Sequence, residues 1–460
     1  MQTNIQRRKF LKGAAITAGI ASINPFAIGK PGGSANSKIN VAMIGAGGIA
    51  AHAYDGCSNE NLVALCDVDD KMHMTHAKKN KKLNFEKAEK FKDFRVMFDK
   101  MGKDIDMVCI NTPDHTHYAA TMAAMERGIH VATQKPLTHN IWQCRQIREA
   151  LKKHNVKTVM CNQGHTYDGI RSMKEWLEAG VLGDVTQVNC GFPGPNWGNR
   201  YFKKPASTPP KNMTPPSSLD WDLWLGPVSG VGYNDVYHPL TWRGFWDFGT
   251  GQLGDWFCHI GDGPVWCLDL YEPTVVECVE KRDSLPGMIP DSSTVRFTFP
   301  KRGNLAPCTL TWTDGISNNG GKGIECPKEY DYGKAPNSGS FFLGSKKNAF
   351  LDRRSNNPRL TIKEEMKEFK KADSVPKKYK RVPKGGPHKE LCSYIKGEGE
   401  ECGSKFEYAT KLTEITLLGV LAQRFGGRIE WDAKAGRITN RPELNGYISE
   451  ATRPGFEFKA

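Results

Sequence analysis

Residues 39–67 contain the feature that most limits how this chain can fold. Residues 39–44, Ile-Asn-Val-Ala-Met-Ile, form a short apolar run that suits a buried parallel strand. Gly45-Ala46-Gly47-Gly48-Ile49-Ala50 follows at once and matches the pattern G-x-G-x-x-A. A second apolar run, residues 62–66, ends at Asp67. This order predicts a strand, a tight turn, a helix and a second parallel strand.

The glycines of this turn indicate a dinucleotide site. Gly45 permits the tight turn, and Gly47 has no side chain, so the backbone can approach a pyrophosphate. Free N–H groups at the helix N-terminus favour that anion. Asp67 lies 22 residues after Gly45, where a carboxylate accepts the adenosine ribose hydroxyls and repels a 2′-phosphate. The predicted cofactor is therefore NAD, held here by Gly45, Gly47, Gly48, Ile49 and Asp67.

Apolar runs and helical segments continue to alternate after this unit. Strands are expected at residues 106–111, 129–133 and 157–161, with helices ending near Arg127 and spanning about 140–154. The alternation predicts an N-terminal Rossmann domain, an α/β fold with a doubly wound parallel sheet, whose ligands bind at the carboxyl ends of the strands. Two polar segments fall at such ends, Thr112-Pro113-Asp114 and Gln134-Lys135-Pro136.

These motifs together resemble the glucose–fructose oxidoreductase/inositol dehydrogenase (Gfo/Idh/MocA) family. They are the glycine turn, Thr-Pro-x-x-x-His at residues 112–117, and a Lys-Pro after the fifth strand. The resemblance implies that the NAD contacts also include Thr112, Pro113, Asp114, His117, Gln134, Lys135 and Gln163. The family signature is usually Glu-Lys-Pro, with the acid holding the nicotinamide ribose. Gln134 replaces that acid here and can hydrogen-bond without a charge.

A second candidate motif lies in a glycine-rich stretch at residues 246–259. Asp255 and His259 are spaced i, i+4, which places both on one face of a helix. A His held near a carboxylate has a tuned pKa and a fixed tautomer, as a general base needs. A pair of no chemical consequence is the alternative interpretation. The resemblance favours function, because the second family signature, Asp-x-x-x-His after glycines, matches both residues.

The resemblance also implies a role for each catalytic residue. Lys135 would hydrogen-bond the reacting hydroxyl, His259 would take its proton, and Asp255 would orient His259 or bind a neighbouring hydroxyl. Further substrate residues are proposed with less support. The candidates for a base acting on the sugar C2 proton are His165, Tyr167, Tyr237 and His238, and the candidates for pocket lining are Arg243 and Trp246.

The rest of the chain predicts a C-terminal α+β domain with an open, mainly antiparallel sheet. Alternating runs at residues 274–279, 293–299 and 308–313 indicate strands, and about 407–425 indicates a helix with an apolar stripe. The expected boundaries are 38–162 for the Rossmann domain, 163–435 for the substrate domain, and 436–460 for a tail that is irregular from Pro442. In this family the second sheet often supports oligomers, so a homo-oligomer is expected.

The N-terminal segment has the pattern of an export signal. Arg7-Arg8 and Phe10-Leu11-Lys12 precede a weakly apolar run to Ile23 and a Gly/Ser-rich linker, and residues 1–37 resemble a twin-arginine export signal. No segment has the roughly 20 apolar residues of a membrane span. We therefore expect a periplasmic or otherwise exported protein.

Charge and cysteine content exclude other classes. The net charge of +14 includes four basic residues of the signal, and the remaining basic runs are not interleaved with aromatics, so no nucleic-acid partner is expected. The 13 cysteines show no paired zinc-ligand spacing, and neither a metal site nor a disulfide framework is expected.

The expected function follows from the predicted NAD site together with the predicted export. An exported enzyme meets no NAD pool, so NAD would be tightly held and regenerated in place. The leading hypothesis is an NAD-dependent oxidoreductase acting on a sugar or glycoside CH–OH, with net glycoside cleavage by oxidation, elimination, hydration and reduction as one form. A plain sugar or polyol dehydrogenase or a sugar:sugar oxidoreductase is the first alternative. The alternative of another class is a carbohydrate-binding protein without catalysis.

Overall fold

The computed structural model describes residues 38–318, 320 and 323–460, and the predicted export signal lies outside these described residues. Strands and helices alternate in the first part of the chain, as the apolar pattern predicts. They are β1 (Asn40–Ile44), α1 (Ala50–Gly56), β2 (Asn61–Cys66), β3 (Glu89–Phe91), α2 (Phe94–Met101), β4 (Met107–Ile110), α3 (Asp114–Glu126), β5 (His130–Thr133), α4 (Ile141–Lys153) and β6 (Thr158–Met160).

The first sheet is entirely parallel and has the order β3-β2-β1-β4-β5-β6. Along β1, Val41 and Met43 enter one apolar cluster, whereas Ala42 and Ile44 enter another on the opposite face. Burial of both faces explains the continuous apolar run, because a crossover helix covers each side of the sheet. The Rossmann architecture is therefore confirmed. The carboxyl ends of β1, β2, β4, β5 and β6 meet at one edge of the sheet.

The second part of the chain forms a nine-stranded sheet within the described residues. Its elements are α5 (Asp168–Glu178), β7 (Val185–Phe192), α6 (Trp221–Leu225), α7 (Gly251–Ile260), α8 (Asp262–Cys267), β8 (Val275–Arg282), β9 (Ser292–Phe299), β10 (Cys308–Asp314), β11 (Gly339–Gly344), β12 (Ala349–Leu351), β13 (Arg359–Leu360), α9 (Lys363–Ala372), α10 (Gly386–Lys396), α11 (Phe406–Phe425), β14 (Gly427–Asp432) and β15 (Arg437–Ile438). Short 3₁₀ turns lie at Asp70–Met72, Gln163–Thr166, Thr241–Gly244, Ile316–Asn318 and Pro442–Tyr447.

The order of this sheet is β13-β12-β11-β7-β10-β9-β8-β14-β15. Strands β7 and β10 run parallel, and the other pairs are antiparallel. The prediction of an open, mainly antiparallel sheet is confirmed. Within the described residues, no helix is long and apolar enough to cross a membrane.

Helix α11 packs between the two halves of the molecule, against α4 on one side and α7 on the other. Sixteen of its 20 residues are buried. The predicted apolar stripe is therefore wrong in extent, since a helix enclosed on nearly all sides is apolar around its whole circumference. Its burial fixes α7, which carries Asp255 and His259, relative to the first sheet.

Late segments of the chain return to the first sheet. Leu391 and Cys392 of α10 pack in the same buried cluster as Met43 and Cys109. The tail is not simply irregular after Pro442, because Phe456 is 4% exposed and packs on Phe94 of α2. Apolar side chains in a mainly polar tail therefore hold it against the Rossmann domain.

Candidate functional site

The glycine turn has the geometry expected of a phosphate cradle. The N–H of Gly45 donates to the carbonyl of Cys66 at 2.8 Å, and its φ of 80° lies in the left-handed region. A Cβ on Gly45 would meet the backbone of Asn111 at 2.8 Å, whereas a Cβ on Gly48 would have nothing within 4 Å. The turn is thus closed towards the sheet and open outwards, beside the half-exposed Ile49. The sequence predicts open space beside Gly47 for the pyrophosphate. On one side that space holds the Met72 sulfur, which would lie 2.6 Å from a Cβ placed on Gly47.

Asp67 ends β2 beside this turn. Its Oδ2 accepts a hydrogen bond from the N–H of Ala46 at 2.8 Å, and its Oδ1 accepts one from Asp69 at 3.0 Å. Burial raises the pKa of Asp67, and these two N–H groups oppose the rise. The carboxylate is held at the end of β2, next to the turn, as ribose recognition requires.

Orphaned polar atoms at the ends of β4 and β5 test whether NAD fits. Gln134 is 3% exposed, yet its Oε1 and Nε2 have no partner among the described residues. The hydroxyl of Thr112 and the amide oxygen of Asn111 are also buried without partners there. Buried polar groups are normally hydrogen-bonded, so this cluster fits a polar ligand at the edge that carries the glycine turn. The residues present therefore fit a dinucleotide whose nicotinamide end reaches Gln134.

Two other residues expected to contact NAD are instead bonded within the protein. The ring nitrogens of His117 face the carbonyls of Pro136 at 2.7 Å and Thr112 at 2.8 Å. The Asp114 carboxylate accepts from the hydroxyl of Thr250 at 2.7 Å. Both residues tie the loops at this edge together, and Pro113 precedes the first turn of α3. These bonds give both residues a positioning role, and their direct contact with the cofactor stays a prediction.

Lys135 and Asp255 form the ion pair at the centre of the site. The ammonium of Lys135 donates to the carboxylate and, at 3.2 Å, to the backbone carbonyl of Asp255. The Nε of Arg243 lies 3.8 Å from the same carboxylate oxygen. Burial raises the pKa of Asp255, but the positive charges of Lys135 and Arg243 outweigh it and lower the pKa to about 2. Asp255 is therefore an anion that holds Lys135.

Asn162, which sequence reasoning missed, orients His259. Its amide nitrogen donates to the carbonyl of Cys258 at 2.6 Å, so its amide oxygen is the atom facing Nδ1 of His259 at 2.9 Å. Nδ1 must then carry the proton, which leaves Nε2 with a free lone pair. Asn162 therefore takes the orienting role that was expected of Asp255, whose carboxylate is bonded to Lys135, and the alternative that Asp255 binds a neighbouring hydroxyl stays a prediction.

His259 is kept neutral by its surroundings. It is 4% exposed, and burial lowers its pKa well below the ordinary value. The positive charges of Lys135 and Arg354 lower the pKa further, against the opposing effect of Asp255. A neutral imidazole with a free Nε2 can accept a proton at neutral pH.

One face of the helical segment α7–α8 contacts the edge of the first sheet at which the carboxyl ends of its strands lie. Asp255, His259 and Asp262 follow the spacing i, i+4, i+7 and lie on that face. They meet, in order, Lys135 after β5, Asn162 after β6, and His165 in the next turn. The glycines before the helix and the i, i+4 spacing predict the positions of Asp255 and His259. Which residues they contact depends on how the two halves of the molecule pack together.

Several proposed substrate residues lie away from this pair. His165 is 1% exposed and bonded to Asp262 at 2.9 Å, and Tyr237 is 6% exposed in an aromatic cluster where burial raises its pKa to about 12. Trp246 lines a separate small cavity with His139 and Glu450. Protein groups therefore enclose or contact these three residues, and a substrate role for them stays a prediction. Among the candidates, Tyr167 and His238 are half-buried, and Arg243 lies at Asp255.

A long loop, residues 193–249, which we call the strap, crosses from the second sheet to the cofactor edge. Its Asp220 donates from N–H to the carbonyl of Val68 at 2.9 Å, and its Ser218 carbonyl accepts from Asp70 at 3.1 Å. These contacts lie immediately after Asp67. Four residues after Asp220, Trp224 packs on His115 at the start of α3, with ring centroids 5.1 Å apart. The strap therefore contacts the Rossmann domain just after Asp67 and at the start of α3.

The fold and this edge define an NAD-binding oxidoreductase of two parts, a Rossmann domain and an α/β domain that supplies the facing residues. Residues 39–163 match the oxidoreductase family's NAD-binding Rossmann fold, and residues 167–280 match its C-terminal α/β domain. The chain belongs to the Gfo/Idh/MocA oxidoreductase family.

Known proteins similar to this chain include sugar-acting enzymes. It is 28% identical to D-glucoside 3-dehydrogenase of Escherichia coli K12 over 172 residues, 35% of this chain and 47% of that protein. It is 29% identical to a glycosyl hydrolase family 109 protein of Solibacter usitatus over 168 residues, 34% of this chain and 37% of that protein. The matched regions thus span less than half of these relatives. The WlbA dehydrogenase of Bordetella pertussis, solved with NADH and UDP-GlcNAcA, shares the fold with a TM-score of 0.57 and 14% identity, over 86% of this chain and 99% of that one.

Proposed function

We propose that this protein oxidises a CH–OH group of a sugar or glycoside with a tightly held NAD. The observation that carries the proposal is the Lys135–Asp255 ion pair beside a neutral His259 whose Nε2 is free. The pair lies at the sheet edge where Gln134 leaves two buried polar atoms for a ligand. A cation to hold a hydroxyl oxygen and a base to take its proton are the parts that alcohol oxidation needs.

The chain's own residues divide the chemistry between them. The ammonium of Lys135, fixed by Asp255, donates to the substrate hydroxyl oxygen and stabilises negative charge as it develops there. Nε2 of His259 accepts the hydroxyl proton, and Asn162 stabilises the resulting imidazolium at Nδ1. NAD, when bound, supplies the acceptor for the hydride from the same carbon. Gln134 and Thr112 would hold the nicotinamide ribose, and Asp67 the adenosine ribose.

The strap supports retention of the cofactor. It is bonded to the chain at Val68 and Asp70, just beyond the ribose-binding Asp67, and it packs on His115 at the start of α3. We propose that the strap must separate from the Rossmann domain before NAD can leave. Retention allows one cycle of oxidation and reduction, or two coupled sugars, to regenerate NAD in place.

The test begins with the protein purified without added cofactor. We expect NAD in the denatured extract in near-stoichiometric amount, and absorbance at 340 nm on addition of a substrate sugar, with a ketosugar as product. Trp224→Ala should lose NAD during gel filtration, whereas Trp431→Ala, which changes a Trp on β14, should keep it. Substoichiometric NAD in the parent, or no reduction by any sugar offered, would contradict the proposal. Sugar binding without reduction would indicate a carbohydrate-binding protein.

Net glycoside cleavage is a second form of the same chemistry. Its support is the similarity to a glycosyl hydrolase family 109 protein. Oxidation next to C2 acidifies the C2 proton, the aglycone leaves by elimination, water adds, and the ketone is reduced again. Incubation with aryl glycosides in deuterium oxide, without added cofactor, should release the aglycone and place deuterium at C2. A ketosugar that forms only with added NAD would indicate a plain dehydrogenase.

We also propose export and self-association. Export rests on Arg7-Arg8, and Arg7→Lys with Arg8→Lys should leave the protein in the cytoplasmic fraction, with secretion of the parent as the reference. Recovery of the mature parent only in the cytoplasm would contradict it.

A homo-oligomer is expected through the open face of the nine-stranded sheet, and light scattering after gel filtration would test the mass.

A further inference from the structure

Two cations share one carboxylate at the reacting edge. The carboxylate of Asp255 serves two cations, the ammonium of Lys135 and the guanidinium of Arg243 at 3.8 Å. A single carboxylate neutralises one of them. If the proposed function holds, bound NAD⁺ adds the positive nicotinamide ring to the same region.

Two further arginines approach the site from the segment that follows β12. The guanidinium carbons of Arg353 and Arg354 each lie 6.0 Å from the ring centroid of Trp256. That ring lies 5.3 Å from the ring of His259 and stacks on Phe192 at 4.0 Å. Trp256 therefore lies beside both the base and the two arginines.

The segment after β12, which carries Arg353 and Arg354, is hydrogen-bonded to the helical segment α7–α8. The hydroxyl of Ser355, which is fully buried, donates to the carbonyl of His259 at 2.7 Å and accepts from the N–H of Gly263 at 2.9 Å. The side chain of Arg354 donates to Oε1 of Gln163 at 3.2 Å. Arg354 is thus half-buried and positioned, unlike a freely moving surface arginine.

The two arginines lack the carboxylate partner that some other half-buried arginines of the described chain have. Half-buried Arg381 pairs with Glu175 at 2.7 Å, and Arg145 pairs with Glu414 at 2.8 Å. Within residues 38–318, 320 and 323–460, no ion pair joins Arg353 or Arg354 to a carboxylate, and the neutral amide of Gln163 is the partner of Arg354. The guanidinium of Arg354 is held in place beside the substrate site and has no carboxylate partner. It can therefore bind an anionic group of the ligand.

We infer that the sugar substrate is anionic, with a carboxylate, sulfate or phosphate group that binds Arg354 while the reacting hydroxyl binds Lys135. The inference deepens the proposed function, because it names the substrate class of the same site. Arg353, which is more exposed, contributes to attraction, and Trp256 forms the apolar wall beneath the sugar. The guanidinium fork favours a group with two acceptor oxygens in one plane.

Isothermal titration of the full-length, NAD-loaded protein tests this inference without requiring turnover. The probes are glucose, glucuronate, glucose 6-sulfate and glucose 6-phosphate. We expect at least one anionic sugar to bind more than tenfold more tightly than glucose, with an affinity that falls as salt rises. Arg354→Gln should reduce that preference at least tenfold, Arg354→Lys should restore part of it, and Arg437→Gln on exposed β15 should leave it unchanged.

Equal affinity for all four probes, including no measurable binding of any, would overturn the inference, as would an unchanged preference in Arg354→Gln. The result is separable from that of the proposed function. Binding with the anionic preference but without reduction of NAD would refute the oxidoreductase proposal alone. Reduction of NAD by neutral and anionic sugars with equal kcat/KM would refute the anionic substrate alone.

Discussion

Asn162 decides which ring nitrogen of His259 is free to act. Its amide nitrogen is committed to the carbonyl of Cys258, and its amide oxygen therefore accepts the Nδ1 proton at 2.9 Å. The tautomer of His259 thus follows from a bond between Asn162 and the backbone of the residue before the histidine. A family signature that names only Asp255 and His259 leaves this relationship out.

Replacement of Asn162 should lower turnover more than substrate binding. In Asn162→Ala the imidazole can rotate or change tautomer, and we expect kcat to fall about 10- to 100-fold with a small change in KM, within the range of general-base contributions. Steady-state kinetics on the NAD-loaded protein measures this. Asn440→Ala is the control, because Asn440 bonds backbone groups in the same way on the exposed β14–β15 hairpin. Equal losses in the two variants would contradict the role of Asn162.

The pH dependence follows from His259 and Asp255. His259 must be neutral to accept a proton, and its pKa lies well below the ordinary value, so kcat/KM should stay flat from pH 8 to about pH 6 and fall only in more acid solution. Asp255, with a pKa lowered to about 2, stays ionised throughout that range. Asn162→Asp places a carboxylate at Nδ1, which raises the pKa of His259 and should move the acid limb to higher pH. An acid limb that does not move in this variant would contradict the assignment.

The same pKa shifts predict how stability changes with pH. Because the pKa of Asp255 is lower in the folded state, its ionisation stabilises the fold above the unfolded pKa, and this contribution is lost as pH falls from about 4 to about 2. His259 has a lowered folded pKa too, so its contribution is also lost as pH falls below about 6.5. Asp255→Asn should therefore show a smaller decrease in the free energy of unfolding below pH 4 than the parent. Identical acid unfolding curves would contradict this.

Lys135 should be needed for catalysis and for the electrostatic balance of Asp255. Lys135→Met should lower kcat about 100- to 1000-fold, as expected for loss of a group that stabilises developing charge. It also leaves Asp255 with Arg243 as its nearest cation, which we expect to cost about 1–3 kcal/mol of stability. Kinetics and urea unfolding measure the two effects. Full activity in Lys135→Met would refute the catalytic assignment, and Lys174→Met, a cation near Trp266, is the matched control.

Gln134 should have opposite effects on stability and on cofactor binding. Gln134→Leu removes two buried atoms without protein partners, so the NAD-free protein should gain about 1 kcal/mol of stability, while the rise in Tm on adding NAD shrinks. Gln143→Leu is the contrast, because Oε1 of Gln143 accepts from the N–H groups of His139 and Asn140, and its loss should destabilise the protein with or without NAD. Thermal unfolding with and without NAD separates the two. A stability loss in NAD-free Gln134→Leu would contradict a ligand-facing role.

The sequence predicts the Rossmann sheet well, because each buried parallel strand is a continuous apolar run of its own. It also predicts the positions of Lys135, Asp255 and His259, since these depend on local motifs. β3 was missed because its three residues, Glu89–Phe91, carry no apolar pattern. Asn162 and Arg354 were missed for another reason, since their roles arise only when β6 and the segment after β12 meet α7.

Burial distinguishes the candidate substrate residues that protein groups enclose from those that stay partly exposed. His165 and Tyr237 are chemically suitable, but other rings enclose each of them, Tyr408 from far along the chain and Phe248 from the same loop. Residue type states what a side chain can do, and the tertiary packing decides whether a substrate can reach it. The same packing gives His117 and Asp114 hydrogen bonds to neighbouring loops that a local motif does not predict.

The return of α10 and the tail to the first sheet has a consequence for how the protein is made. Leu391 and Cys392 cover one side of that sheet, and Phe456 packs on α2 at its side. A chain that leaves the ribosome N-terminus first exposes its glycine turn long before these covering residues have been synthesised. The side of the nucleotide-binding half that these residues cover is therefore completed late in synthesis, and we expect cofactor capture to follow it and to precede any transport step that accepts folded cargo.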